Sequence, residues 1–175
     1  MRDQIRSEIA AIQPCDALEA NTITEVLDWI DSGAELFRRQ KPDIPPKHLV
    51  AYSVLVDGDH LLLADHINAG LWLPTGGHAE TGEHPRDAAT REVKEELGIR
   101  PQLLMAGPLF ITATQTVGRT AGHTDVSLWY VFRGDRSLEM AFNEGEFNDI
   151  RWFHRDQLPY PRTDPQMARF IEKLP

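Results

Sequence analysis

The fold and the chemistry both turn on one stretch, GGHAETGEHPRDAATREVKEELGI, residues Gly76 to Ile99. It opens on two glycines and crowds in Glu80, Glu83, Asp87, Glu92, Glu95 and Glu96. Pro85 suits the first turn of a helix and Gly98 its C-terminal stop, so the spacing predicts a helix over residues 85–97. At about 100° per residue, Ala89, Val93 and Leu97 fall near roughly 0°, 40° and 80°, an inward stripe. Glu95, Glu92 and Glu96 fall at roughly 240°, 300° and 340° on the same count. They share one sector beside the buried stripe. A solvated face would lie further from the core and mix its signs.

The cost of this crowding does not decide its purpose. Like charges at i, i+4 cost about 0.2–0.5 kcal/mol each, and acids near a helix C-terminus oppose its dipole. A plain acidic face stays open on the helix alone. The flanks favour a cation. Carboxylates at i, i+3 and i+4 converge on one point and offer the oxygen ligands a hard divalent ion takes. Gly76 and Gly77 allow close backbone approach, with a carbonyl as a further ligand. Glu83 lies eight residues before Arg91, and an ion pair between them would pin the loop to the helix. Such a unit suits cations held against a phosphate chain.

Outward from this stretch, the periodicity is mixed. Residues 1–46 read as a helical extension: Thr22 and Glu25 have capping-box spacing, and Ile23, Val26, Leu27 and Ile30 form one apolar face. Pro42, Pro45 and Pro46 mark a linker. So short a piece cannot bury its own core and is expected to pack on the main domain, residues 47–175. From His48, HLVAYSVLVDGDHLLLADH reads as two strands turning at Asp57-Gly58-Asp59. LWLPTGG reads as a short strand ending at Pro74 and the glycines. PLFITATQTV and DVSLWYVFRG read as strands around the polar turn GRTAGHT, and DIRWFHRDQL as a strand running into a short helix start. The closing helix takes Asp164 as N-cap, Pro165 at its first position, and Met167, Phe170, Ile171 and Leu174 as its buried stripe. The order predicts a mixed α/β layer fold, α+β in type, with helices against a mixed or antiparallel sheet.

Composition bounds the function. The chain has 175 residues with a formal net charge of −9, which argues against a broad basic surface for duplex nucleic acid. No apolar run reaches the roughly 18 residues of a membrane span, and the N-terminus does not read as a signal peptide. The lone cysteine, Cys15, cannot form an internal disulfide and fits a reducing cytoplasm.

The stretch resembles the Nudix box of the Nudix (MutT-like) hydrolases, G-x5-E-x7-R-E-U-x-E-E-x-G-U with U aliphatic. Gly77, Glu83, Arg91-Glu92-Val93, Glu95-Glu96 and Gly98-Ile99 match all nine specified positions across residues 77–99. The resemblance implies a mixed sheet sandwiched between helices. It also implies a divalent-metal hydrolase, using Mg²⁺ or Mn²⁺, that cleaves the pyrophosphate bond of a nucleoside diphosphate linked to another moiety. Carried over by position, Glu92, Glu95 and Glu96 are the catalytic metal face, with the Gly76 carbonyl as a further ligand. Gly77, Glu83 and Arg91 are the brace of the box. Glu80 and Asp87 stand outside it.

Beyond the box the residues say less. Glu144 and Glu146 precede the strand holding Trp152; Glu146 is the choice for base or second metal ligand, against an acidic surface turn. Weak substrate candidates are Trp72, His78, His123 and Asp125. Against them stand a core tryptophan, an exposed histidine and a hydrogen-bonded turn. Trp129 and Tyr130 point to opposite faces, one to be buried and the other a cleft candidate. Arg119 and Arg133 are possible phosphate contacts. The expected partner is a small nucleoside diphosphate derivative, not a duplex or a membrane. A homodimer, frequent in the family, is left undecided by the residues. The competing reading is a non-catalytic Nudix-like nucleotide sensor, disfavoured because every box carboxylate is present. Isopentenyl diphosphate isomerisation, on a related fold, needs a cleft cysteine, and Cys15 lies in the extension.

Overall fold

A computed structural model describes residues 1–40, 44–116 and 122–175. The elements run α1 (Arg2–Ala10), α2 (Ala17–Asp31), β1 (Lys47–Asp57), β2 (His60–His66), β3 (Leu71–Leu73), β4 (Thr75–His78), α3 (Pro85–Leu97), β5 (Gln102–Leu103), β6 (Phe110–Gln115), β7 (Thr124–Arg133), β8 (Phe147–His154) and α4 (Met167–Lys173). The eight described strands form one mixed sheet in the order β3-β2-β1-β7-β5, with β4 beside β1, β6 beside β7 and β8 beside β2. β1 and β7 run parallel at its centre, and the other pairs are antiparallel. This is an α+β fold.

Alternation along β1 divides the core in two. Leu49, Ala51 and Leu55 face Ala89, Val93 and Leu97 of α3, together with Ile5, Ile9, Val26 and Ile30 of α1 and α2. Val54 faces the other way, onto Trp129, Phe110 and the Met167, Phe170 and Leu174 stripe of α4. The sheet is thus covered on both sides. The two N-terminal helices share the α3-side core, as their short apolar stripe requires. Among the described residues, no helix is long and apolar enough to cross a membrane.

Several local expectations change. Thr22 caps nothing: its hydroxyl bonds back to the Leu18 carbonyl inside α2. The cap is Asp16, which accepts from the Glu19 backbone, while Glu19 accepts from Cys15. Asp16 and Glu19 carry the same capping-box spacing six residues earlier. Asp164 caps a turn, accepting from Gln166, and α4 begins only at Met167. The strand expected to end at the glycines instead breaks at Pro74 and resumes as β4, which pairs with β1 from Thr75↔Ser53 to His78↔Val50. Trp129 and Tyr130 are both fully buried, because β7 lies between two covered faces. Most of the GRTAGHT turn, with Arg119, lies outside the described residues, and Arg133 is exposed at the end of β7.

Candidate active site

α3 is set rigidly at both ends. The His84 Nδ1 accepts from the Arg86 backbone at 3.2 Å, Pro85 opens the helix, and Gly98 closes it with φ 67°. Its apolar stripe fixes the rotation, and this brings Glu92 and Glu96 against β4. Glu96 is 5% exposed, and its Oε2 accepts from the Gly76 N–H at 3.0 Å. Gly76 has φ 148°, and a Cβ there would run into the Ala51 carbonyl. A Cβ on Gly77 would run into the Glu92 carboxylate. The paired glycines therefore let two acidic side chains lie directly on the β4 backbone.

Arg91 organises the loop. Its Nε and Nη2 donate to the two oxygens of Glu83 at 2.9 and 3.0 Å, a bidentate pair. Nη2 also donates to the His78 carbonyl at 3.2 Å, and Nη1 to Glu92 at 2.7 Å and Glu95 at 3.2 Å. Glu83 in turn accepts from the Glu80 backbone at 3.0 Å. The Arg91 hydrogen bond holds the Glu83 carboxyl below its usual range. Glu95 is the exposed member of the trio.

Negative charge gathers at Glu96. Burial, and then neighbouring Glu92, push its carboxyl up to about 9, with Glu146 adding to the rise. Burial also raises Glu92, against the lowering by Arg91. Glu146, half-buried before β8, bears on Glu96 from the loop whose Asn143 N–H bonds to the Glu96 carbonyl. Glu144 is exposed. Among the described residues Glu96 meets no cationic side chain, so hard oxygens and uncompensated charge share one place. That donor chemistry fits Mg²⁺ or Mn²⁺.

The other candidates fall elsewhere. Trp72 is 7% exposed and packs edge-on against Phe153, so it is a core residue and not a stacking platform. His78, His123 and Asp125 come together, and with them His48, which the sequence gives no reason to single out. The β1/β7 register sets His48 beside Asp125, and β4 brings His78 alongside Val50. The contact across β1 and β7 is not local, and no spacing announces it. Burial, and then Arg38, lower His78 to about 3. Asp125 also lines a cavity of about 140 Å³ with Tyr52, Ser127 and Asp164.

Fold and box geometry together define a mixed-sheet protein that carries an acidic loop–helix box. A model of the NUDIX domain matches residues 46–174, and the chain belongs to the NUDIX family. It is 30% identical over 138 residues to the NAD-capped RNA hydrolase NudC of Actinobacillus succinogenes, covering 73% of this chain and 46% of that protein. It is 32% identical over 93 residues to the nucleoside triphosphatase NudI of an Enterobacter strain, covering 51% of this chain and 65% of that protein. The chain thus spans about half the length of the NudC relatives it matches. A MutT NUDIX hydrolase from Burkholderia pseudomallei shares the fold at TM-score 0.58 and 24% identity, covering 74% of this chain and 98% of that one. A NUDIX-family hydrolase from Clostridium perfringens does so at 0.57 and 23%, covering 72% and 95%.

Proposed function

We propose that the chain is a divalent-metal-dependent pyrophosphohydrolase that cleaves a nucleoside diphosphate joined to a second moiety. The observation that carries this reading is the press of Glu92, Glu96 and Glu146 into one place without a cationic partner for Glu96. Residues 47–175 form the catalytic domain in this reading, and residues 1–46 extend it.

Glu92, Glu95, Glu96 and the Gly76 carbonyl would hold Mg²⁺ or Mn²⁺. When bound, such an ion neutralises pyrophosphate oxygens and lowers the pKa of a coordinated water. The chain's own residues do the rest. Arg91, locked on Glu83, fixes the loop and orients Glu92 and Glu95. The Gly76 N–H orients Glu96. Glu146, carried by a separate loop, takes the proton from the attacking water. The names of the NudC relatives favour a dinucleotide pyrophosphate such as NAD among the substrates.

The test is a panel of nucleoside diphosphate derivatives, NAD and ADP-ribose included, assayed with Mg²⁺ for mononucleotide release. Turnover of at least one member is expected, with kcat reduced by orders of magnitude in Glu95→Gln and Glu96→Gln while circular dichroism stays unchanged. Full Mg²⁺-dependent turnover in both variants would overturn the metal assignment. Silence across the panel would move the chain to a nucleotide-binding role.

A further inference from the structure

We propose that His48, His78, His123 and Asp125 form a second metal site, built for a borderline-soft divalent ion of the Zn²⁺ class. It is chemically distinct from the carboxylate site on α3.

The donor spacing is the first argument. The Nε2 atoms of His48, His78 and His123 lie 3.4, 3.8 and 3.2 Å from the Asp125 Oδ1, and the four donors all fall within 4.8 Å of one another. Ligands about 2.0–2.1 Å from a tetrahedral Zn²⁺ stand roughly 3.3–3.4 Å apart. The three separations from Asp125 bracket that ligand–ligand spacing.

The second argument is hydrogen-bond accounting. The Nε2 of His48, the Nε2 of His78 and the Oδ1 of Asp125 are buried, yet make no hydrogen bond among the described residues. His48 is fully buried, so its idle nitrogen has no water to turn to. Buried polar atoms are rarely left so. The outer ring nitrogen of His48 is engaged: Nδ1 lies 2.7 Å from the Pro45 carbonyl, a contact that requires an N–H there. A neutral His48 then presents its Nε2 lone pair inward. An imidazole that donates outward to a carbonyl and turns its other nitrogen inward is the usual posture of a metal ligand.

The third argument is placement. Gly77 and His78 are consecutive on β4, so they face opposite sides of the sheet. Gly77 abuts Glu92, and the His78 ring joins the cluster while its carbonyl meets Arg91. Three imidazoles and one carboxylate suit Zn²⁺ and related ions over Mg²⁺, whereas the all-oxygen set on α3 has the reverse preference. The four ligands come from β1, β4, β7 and the residue before β7, so a bound ion would tie three strands together at one end of the sheet.

The test uses the full chain, stripped with a chelator, loaded with Zn²⁺ alone, desalted and assayed for metal content. One equivalent per chain is expected to remain in excess Mg²⁺. Co²⁺ in its place should give the intense visible absorption of a four-coordinate ion. The Glu92→Gln/Glu95→Gln/Glu96→Gln triple variant should retain the equivalent, while His78→Gln and His123→Ala/Asp125→Ala should bind at least tenfold more weakly. A wild-type chain that retains no Zn²⁺, or holds Co²⁺ only in a weakly absorbing octahedral form, overturns the site. So does retention that survives His123→Ala/Asp125→Ala and fails in the box triple. The wild-type measurements need no variant to fold, and none of the readouts is hydrolysis.

Discussion

At the scale of single residues, the chain gives up stability where it gathers charge. The Glu96 carboxyl is pushed up to about 9 from its ordinary 4.5, first by burial and then by Glu92. The folded state therefore keeps a proton that the unfolded chain releases above pH 4.5. This group's contribution to metal-free stability is fully present below about pH 4.5 and is lost as pH rises through about 9. Glu96→Gln removes that loss and keeps an acceptor for Gly76. Thermal unfolding of the metal-free variant at pH 8 should show a higher Tm than wild type, the gap closing toward pH 4, while activity is lost. The two glycines should separate in the opposite way. Gly76→Ala sets a Cβ against the Ala51 backbone at a φ side chains rarely adopt, so it should destabilise by about 1–3 kcal/mol or more. Gly77→Ala meets only the end of the Glu92 side chain, which can move. Denaturation midpoints should shift strongly for Gly76→Ala and little for Gly77→Ala, while Mg²⁺-dependent rates fall for both.

At the scale of elements, the terminal helices are joined by a buried ion pair. Lys173 on α4 donates to both oxygens of fully buried Glu19 on α2 at 2.8 and 3.0 Å, and Glu19 also accepts from the backbone of Cys15 and of Ile111 on β6. Arg169 makes a second, bidentate pair with Asp16. Removing one partner of a buried pair leaves a charge without compensation, a cost of about 3–5 kcal/mol. Lys173→Ala should lower stability by that order in urea, whereas Glu19→Leu/Lys173→Met should recover most of it. Coupling of this kind marks the limit of what the sequence discloses. The box helix was legible to its ends because Pro85, Gly98 and the Ala89–Val93–Leu97 stripe are local signals. β4 was not, because four residues with two glycines carry no strand pattern; it exists through its pairing with β1. That Glu92, Glu95 and Glu96 share one sector likewise follows from helical spacing, while their role as a metal face rests on the resemblance of the box. The meeting of Glu146 with Glu96, and of His48 with Asp125, depends on loops and ladders that close far from either residue.

At the scale of the molecule, the NUDIX match begins at residue 46, but the core does not. Ile5, Ile9, Val26 and Ile30 are buried with Leu49, Ala51 and Leu128 of the sheet. A chain cut to residues 46–175 would expose that apolar face. It should elute as aggregate in gel filtration, or melt well below the full chain, even though the box is intact. The central ladder adds a consequence for synthesis. β1 and β7 pair in parallel with partners 77 positions apart, Lys47 with Thr124 through Val56 with Arg133. At about 5–20 residues per second, β7 leaves the ribosome roughly 4–15 s after β1. During that interval the apolar run LVAYSVLV has one edge paired by β2 at Val56 and by β4 from Val50 to Ser53, and the other bare, an open template for a wrong partner. The same strand order that places His48 beside Asp125 makes the nascent chain depend on holding β1 soluble until its last neighbour arrives.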